Sequence, residues 1–312
     1  MKKLCFILGI ASLCSFNSIS QIDCDPPYDV TISDASASDY SANFFSNKKI
    51  LLQGTFTVDQ NTNFDHCIFF MDNSKIDVLP NVRLGIESCE LGCGYWDGIY
   101  GGENSYFWVE NSYFEKFENC FYLNASNGYL FYNNSFISDG SGIAITGNSI
   151  IGQQNQSIPQ LGVLLISENQ FDACDIGIDL MNCRYGIFIG DNNKFEDCRF
   201  GIRSENSIVN VNKPTFISCE FGINLLSKSV LNCKADPNVT TFEECEKGVW
   251  VNNSNADISY CKFDGTPQGI GSCCGSDLKI SNNQYNYEPF TPLTPSFVSS
   301  TGSNIIAFEN HY

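Results

Sequence analysis

The chain has 312 residues, 16 cysteines, 43% hydrophobic residues and a formal net charge of −18. So large an excess of acidic side chains repels nucleic acid and anionic lipid, and it also repels polyuronates unless cations bridge them. The length is enough for one large hydrophobic core, which an elongated repeat protein can use as a single domain.

Residues 1–20 predict a cleaved secretory signal peptide. Lys2 and Lys3 precede an apolar run from Leu4 to Leu13, and Ser18 and Ser20 supply the small residues of a cleavage site. The run is too short to remain as a membrane span, and no other stretch is long and apolar enough. We therefore expect a secreted or cell-surface protein without a transmembrane segment, in which loss of two lysines lowers the net charge from −18 to −20.

Residues 21–48 are polar and rich in Ser and Asp, with Cys24 followed by a Pro-Pro pair. We interpret this segment as an N-terminal lead-in or cap. The next segment, residues 49–285, begins with the strand-like run Lys49–Val58.

An internal repeat dominates residues 49–285. Four copies of the pattern F-x-x-C-x-x-G-[IV] start at Phe171, Phe195, Phe216 and Phe242. Weaker copies are Phe64/Cys67, Ile86/Cys89, Phe117/Cys120 and Phe136/Asp139. Alternating runs and an Asn-bearing turn precede the copies, and alternation at period two predicts strands. Asn at these turns can hydrogen-bond along a stack of turns.

A period near 22 residues with about three short strands per period predicts a coil that stacks on its neighbours. Each coil then hydrogen-bonds to the coils ~4.8 Å above and below it, with the Phe, Cys and Ile/Val positions inside. The predicted fold is an all-β, single-stranded, right-handed parallel β-helix of about ten coils. Residues 286–312, which are rich in Pro, Ser and Thr, are predicted to form a C-terminal cap or a linker.

The repeat resembles that of the pectate-lyase-like superfamily of parallel β-helix proteins. The run Lys75–Leu84 followed by Cys93-Gly-Tyr-Trp96-Asp-Gly98-Ile99 is similar to the opening coils of exported bacterial β-helix proteins. The resemblance covers roughly residues 50–285 and implies the fold. It implies no activity, because many members of the superfamily have none assigned.

The cysteines recur about once per coil, at seven of eight matched positions, with Asp139 as the exception. A zinc site needs clustered cysteines or histidines, and the chain has only two histidines, so we expect an internal column of thiols and no metal site. The cysteines outside the column are the better candidates for disulfides in an exported protein. They are Cys24, Cys93, Cys183, Cys233, Cys261, Cys273 and Cys274.

No catalytic constellation is recognisable. Arg199 and Arg203 fall in register with acidic residues of neighbouring coils, Arg203 with Asp179, and are interpreted as parts of charge ladders. The clustered aspartates with His and Arg of a polygalacturonase are absent, and no phosphate-binding loop or nucleophile elbow appears. No cofactor is expected, although Ca²⁺ on the acidic surface stays open.

The most suggestive segment is aromatic. Tyr95, Trp96, Asp97 and Tyr100 lead a run that continues to Phe114. Sugar rings stack on exposed aromatic faces and carboxylates accept hydrogen bonds from hydroxyls, so these four residues are predicted to contact a glycan. Packing of the same rings in the core is the alternative.

Three functions remain compatible with the sequence. The leading one is a non-enzymatic extracellular protein whose loops bind a glycan or another surface protein. The second is a carbohydrate-active enzyme, either a polysaccharide lyase or a glycoside hydrolase. It would be supported by a groove with three or more carboxylates and a basic residue. The third is a structural segment of a larger surface protein.

Overall fold

The structure is a computed structural model that describes residues 22, 24–40, 43–124, 128–147, 164–183, 186–234, 239–286 and 296–311. The signal peptide predicted at residues 1–20 lies outside the described residues. Arg184 and the prolines at 289, 292 and 295 also lie outside them.

In the described ranges the chain winds as a parallel β-solenoid of about ten turns, and apart from one 3-10 turn at Ala37–Asp39 the regular structure is β-strand. Each turn contributes one strand to each of three faces. Within these ranges every strand pair is parallel, because each coil hydrogen-bonds to the coil before it and the coil after it. The predicted parallel β-helix is confirmed.

Face 1 is a sheet of twelve described strands. Its strands are β2 (Phe44–Ser46), β4 (Thr62–Asp65), β6 (Arg83–Glu87), β9 (Tyr106–Glu110), β12 (Gly128–Tyr132), β15 (Leu164–Ser167), β18 (Ile187–Ile189), β21 (Ile208–Val211), β24 (Val230–Lys234), β27 (Asn255–Ser259), β30 (Asp277–Ser281) and β33 (Asn304–Phe308).

Faces 2 and 3 form one sheet of 21 described strands, because three long strands run around the corner between them. The long strands are β1 (Val30–Ser36), β3 (Lys49–Val58) and β5 (Ile68–Val78). Face 2 continues with β7 (Glu90–Cys93), β10 (Tyr113–Glu115), β13 (Ser135–Ile137), β16 (Gln170–Asp172), β19 (Lys194–Glu196), β22 (Thr215–Ile217), β25 (Thr240–Glu243), β28 (Cys261–Asp264) and β31 (Gln284–Asn286). Face 3 continues with β8 (Trp96–Gly101), β11 (Phe117–Asn124), β14 (Ser141–Thr146), β17 (Ile176–Met181), β20 (Phe200–Glu205), β23 (Phe221–Leu226), β26 (Lys247–Asn252), β29 (Gln268–Cys273) and β32 (Ser296–Thr301).

The phenylalanines of the repeat form a stacked column inside face 2. Neighbouring rings have centroids 4.8–4.9 Å apart and planes within 5–11° of each other. The column consists of Phe136, Phe171, Phe195, Phe216, Phe242 and Phe263. This separation is the distance between hydrogen-bonded strands, so ring stacking and strand pairing favour the same register.

The glycine of the repeat is required by close packing. A Cβ at Gly177 would lie 2.6 Å from the ring of Phe195 and 2.7 Å from the carbonyl oxygen of Gly201. Gly177 does not have a positive φ, so its backbone conformation does not require glycine. At Gly177 the collision is the reason.

The single cysteine column predicted from the sequence is wrong in part. Cys174, Cys198, Cys219 and Cys245 do share the corner between faces 2 and 3, where all four are buried. The three earlier cysteines of the predicted column lie elsewhere. They are Cys67, Cys89 and Cys120.

Cys67 and Cys89 lie at the corner between faces 1 and 2, where the amide of Cys67 contacts the Cys89 sulfur at 3.4 Å. Cys120 lies on face 3 at the register position of the repeat glycine, and Phe117 takes the cysteine position. The three-residue spacing between the apolar residue and the cysteine led to the wrong prediction. At each corner, a small residue follows an inward-facing strand residue by three positions. The pattern therefore cannot distinguish one corner from another.

The predicted asparagine ladder is present at the corner between faces 1 and 2. The amide of Asn134 donates to the Asn169 side-chain oxygen at 3.0 Å, and the amide of Asn169 donates to that of Asn193 at 3.1 Å. These side chains are buried, and they satisfy backbone donors that the bend removes from the sheet.

Paired strands extend past both of the domain boundaries predicted at residues 48 and 285. β1 pairs with β3 at the first end, and β32 pairs with β29 at the other. A disulfide between Cys24 and Cys93 also joins the N-terminal segment to the helix. The amino-acid composition changes near residues 48 and 285, but strand pairing continues across both positions. The domain boundaries themselves stay predictions.

Candidate functional site

The residues predicted to contact a glycan lie at the start of face 3, and the structure corrects the role of one of them. Trp96 is fully buried, and its indole Nε1 donates a hydrogen bond to the carbonyl oxygen of Glu115 at 2.9 Å. The ring contacts Phe117 edge-on inside the helix. The prediction that Trp96 stacks on a sugar is therefore wrong, because strand alternation turns it inward.

Tyr95, Asp97 and Tyr100 do reach the surface of face 3. Tyr95 is 55% exposed, and Tyr100 is half-buried with its ring 5.8 Å from that of Tyr122 on the next coil. The Lys75 ammonium lies 5.7 Å from the Tyr100 ring. Burial, followed by the nearby carboxylates, raises the pKa of Tyr100 above its ordinary value. We call Lys75, Tyr95, Asp97, Tyr100 and Tyr122 the tyrosine face.

The second half of the aromatic run turns to face 1. In β9, Phe107 and Val109 point into the core, whereas Trp108 points outward. The predicted aromatic cluster is thus divided between two faces of the helix, and Trp108 is separated from Tyr95 and Tyr100.

Trp108 forms one wall of a cleft on the outer surface of face 1. Phe44, on β2, forms the other wall, and both rings are well exposed, at 44% and 56% respectively. The cleft has a volume of about 330 Å³. The residues that we refer to as the cleft are Phe44, Asn63, Asp65, Arg83, Gly85, Glu87, Trp108 and Glu110.

The floor of the cleft is polar. Phe44, Asn63, Gly85 and Trp108 occupy one register position on four successive strands. The two aromatic walls are therefore three strand spacings apart, or ~14 Å. A Cβ at Gly85 would lie 2.3 Å from the side-chain oxygen of Asn63, so the glycine lets the Asn63 amide lie across the floor.

Charged groups line the two sides of this floor. Asp65, Glu87 and Glu110 occupy one register position along one side, on three consecutive strands. On the other side, the guanidinium carbon of Arg83 lies 5.6 Å from the centre of the Trp108 ring. Three carboxylates and one guanidinium thus surround a space bounded by two aromatic rings.

The row that holds the walls continues along the helix. Phe188, on β18, has the register position of Trp108, three strands further on, and is also well exposed. A second depression of about 370 Å³ lies near the other end of face 1, where the Lys234 ammonium pairs with Asp257 at 2.6 Å. The outer surface of face 1 therefore carries aromatic side chains at regular intervals.

Trp108 and Glu110 lie in the aromatic run that the sequence singles out, but the other residues of the cleft do not. Phe44, Asp65, Arg83 and Glu87 belong to three other coils. The one signal that could have found them is the register. Each of these residues alternates with an inward-facing residue of face 1, and counting from those residues places them side by side.

The structure assigns the arginines of face 3 and its corner to charge ladders, as predicted. The guanidinium of Arg203 pairs with Asp179 on the preceding coil, and that of Arg199 lies between Asp175 at 3.4 Å and Glu220 at 3.6 Å. Within the described ranges, no three His, Cys, Asp or Glu side chains are grouped as metal ligands. None of the described segments forms a helix long and apolar enough to cross a bilayer.

No protein-family profile and no curated protein matches the chain. Among solved structures, it is similar to a variant of the periplasmic alginate epimerase AlgG, with a TM-score of 0.50 and 12% identity over 84% of this chain and 74% of that one. A second AlgG structure gives a TM-score of 0.39 at 12% identity, over 88% and 84% of the two chains. The Streptococcus pneumoniae surface protein and adhesin PfbA gives 0.32 at 8% identity, over 86% and 90%. The match to the AlgG variant shows the β-helix fold and nothing further.

Proposed function

We propose that the chain is an exported β-helix protein that binds a glycan in the cleft of face 1 without transforming it. The observation that carries the proposal is the pair of exposed rings, Phe44 and Trp108, on either side of the floor of Asn63 and Gly85. Aromatic rings offer apolar faces to sugar rings, and amide and carboxylate groups between them accept hydrogen bonds from hydroxyls. Such an arrangement suits an extended oligosaccharide better than a compact ligand.

Export is supported by two features. The first is the signal peptide predicted from residues 1–20. The second is the disulfide between Cys24 and Cys93, since disulfides persist in oxidising compartments outside the cytosol.

Binding of an immobilised glycan library to residues 21–312 tests the proposal. Trp108→Ala and Phe44→Ala should each weaken binding about 10- to 30-fold, the effect of losing a central aromatic contact. Phe308→Ala is the matched control, because Phe308 is 42% exposed near the other end of face 1. Unchanged binding by both cleft variants, with circular dichroism showing intact strands, would refute the proposal.

The tyrosine face is the competing location for glycan contact. It keeps Tyr95, Asp97 and Tyr100 of the predicted site together and adds Tyr122. Tyr95→Ala and Tyr100→Ala should leave binding intact if the cleft is the site. Loss of binding in these variants, with Trp108→Ala unaffected, would move the site to face 3.

A second candidate function, a carbohydrate-active enzyme, is favoured by one observation. The cleft does contain three carboxylates and a basic residue, Arg83. Binding is preferred because none of the three carboxylates is buried, with Glu87 exposed and Asp65 and Glu110 partly exposed, whereas the general acid of a glycosidase sits where burial helps it to hold its proton. Release of reducing ends or unsaturated products from a bound polysaccharide, abolished by Glu87→Gln or Glu110→Gln, would establish the enzyme instead.

A further inference from the structure

Two of the three carboxylates in the row along the cleft lack cationic side-chain partners. Glu87 and Glu110 lie on adjacent strands at one register position, and neither pairs with a lysine or arginine of the described ranges. Asp65 precedes them in the row and contacts Ser46 and the exposed His66. The Arg83 guanidinium, the one cation that lines the cleft, is stacked on Trp108.

On other strands of the helix, several carboxylates have a lysine beside them. Lys75 pairs with Asp77 at 2.8 Å, Lys262 with Asp264 at 2.7 Å, and Lys234 with Asp257 at 2.6 Å. Pairing of this kind relieves repulsion between carboxylates stacked on neighbouring coils. Glu87 and Glu110 face each other on adjacent strands without such a partner, so they repel each other until a cation lies between them.

The carboxylate row runs along the helix axis, and its spacing is close to the repeat distance of a polysaccharide chain. Successive carboxylates are one strand spacing apart, ~4.8 Å, along the helix axis. Successive rings of an extended β-1,4-linked pyranose chain recur at nearly this distance. A glycan that stacks on Phe44 and Trp108 would therefore pass one carboxylate per coil.

We infer that the cleft binds a cationic amino-sugar glycan, in which free amines replace the acetamides or hydroxyls of a neutral chain. The inference rests on the proposed function and names its ligand class. An ammonium group donates three hydrogen bonds, and carboxylates only accept them, so the two are complementary in charge and in hydrogen bonding. A uronate chain would bring like charges together, and the net charge of the whole chain, −18, adds to that repulsion.

The test compares hexamers of one linkage and three charges. The β-1,4-linked hexamers of glucosamine, N-acetylglucosamine and glucuronate are titrated into residues 21–312 by calorimetry at low salt and about pH 5.5, where amines are protonated and most carboxylates ionised. EDTA is present, so that bridging metal ions play no part. The glucosamine hexamer should bind at least about tenfold more tightly than the acetylated one, and half-molar salt should remove most of that preference.

Variants separate this inference from the proposed function. Glu87→Gln/Glu110→Gln should abolish the preference for the amine while leaving the acetylated hexamer bound, and Trp108→Ala should weaken both hexamers. Glu244→Gln/Glu246→Gln removes the same charge from exposed positions at another corner and should keep the preference. Equal or tighter binding of the acetylated hexamer or the glucuronate hexamer would overturn the inference alone, whereas binding unaffected by Trp108→Ala would overturn the proposed function.

Hexalysine is the last probe. If it competes as well as the glucosamine hexamer, the cleft recognises positive charge without the sugar, and a basic peptide becomes the ligand in place of a glycan. Weak competition that Trp108→Ala does not change would support recognition of the sugar rings.

Discussion

Arg203 donates two hydrogen bonds to the carboxylate of Asp179 on the preceding coil, from Nε at 2.9 Å and from Nη2 at 2.6 Å. The two residues are register partners on β17 and β20 of face 3. Hydrogen bonding to Asp179 raises the pKa of the Arg203 guanidinium above its ordinary value. The Asp179 side chain is only 9% exposed, so hydrogen bonds from Arg203 replace most of the contacts with water that its carboxylate would otherwise make.

Removing the guanidinium should therefore leave a buried, unpaired carboxylate. We expect Arg203→Ala to lower the free energy of unfolding by about 3 kcal/mol. Arg199→Ala is the matched control, with a side chain that is 58% exposed and ion pairs of 3.4 and 3.6 Å, and should cost less than about 1 kcal/mol. Urea unfolding followed by circular dichroism measures both, and equal losses would contradict the assignment of Asp179 as the buried partner.

Adding a methyl group to the repeat glycine should disrupt the phenylalanine column. A Cβ at Gly201 would lie 2.5 Å from the ring of Phe216 and 2.7 Å from the carbonyl oxygen of Gly222. We expect Gly201→Ala to cost about 1–3 kcal/mol in urea unfolding. Gly128→Ala, where the nearest atom is 3.2 Å away on the Tyr106 side chain, should cost clearly less. A neutral Gly201→Ala would show that coil spacing is looser than the stacked rings indicate.

The stability of the protein should fall at alkaline pH. Burial raises the pKa of the Cys183 thiol from 9.0 to about 11. Below pH 9 the thiol is protonated in both states and contributes no pH dependence. Between pH 9 and about 11 the unfolded chain loses this proton while the folded chain keeps it, so the free energy of unfolding decreases as pH rises.

One such thiol contributes a slope of at most about 1.4 kcal/mol per pH unit in that window. Cys183→Ser should reduce the slope by about that amount, because a serine hydroxyl does not titrate in this range. Serine should be tolerated there, since Ser207 and Ser229 occupy the same column of hydrogen bonds on neighbouring coils. Urea midpoints measured between pH 8 and pH 11 provide the test. An unchanged slope in the variant would mean that Cys183 does not titrate differently in the two states.

The thiols should respond to labelling according to their burial. Twelve cysteines of the described ranges are free, and of these only Cys273 and Cys274 are accessible, whereas Cys24 and Cys93 are bonded. For the protein of residues 21–312, which lacks Cys5 and Cys14, we expect no more than two thiols to react with a thiol reagent in the native state, twelve after denaturation without reductant, and fourteen after reduction. Finding none free in the denatured, unreduced protein would show that the buried thiols are disulfides.

The sequence was sufficient to predict that the chain coils and which side chains line the coil. Phe171, Phe195 and Phe216 stack as their shared spacing requires, and Arg203 lies over Asp179 as the register predicts. These successes share a cause. Strand alternation and a constant interval between inward-facing residues are local properties, and stacking repeats them on every coil.

The sequence failed where local patterns are alike but their places in the coil differ. Cys67 and Cys174 have the same spacing from a preceding phenylalanine and still occupy different corners. Trp96 and Trp108 come from one aromatic run, yet one is buried beside Phe117 and the other is exposed on face 1. The spacing of residues in the sequence does not reveal which corner or which face of the coil a segment will occupy.

The sequence by itself determined a parallel coil with a Phe, Cys and Ile interior, because inward and outward positions alternate along each strand. Only the tertiary structure decided that Phe44 and Trp108 face each other across Asn63 and Gly85. Those residues are far apart in the chain and meet because loops of unequal length still return each coil to the same hydrogen-bonding register. That register places the aromatic walls and the carboxylate row on one surface.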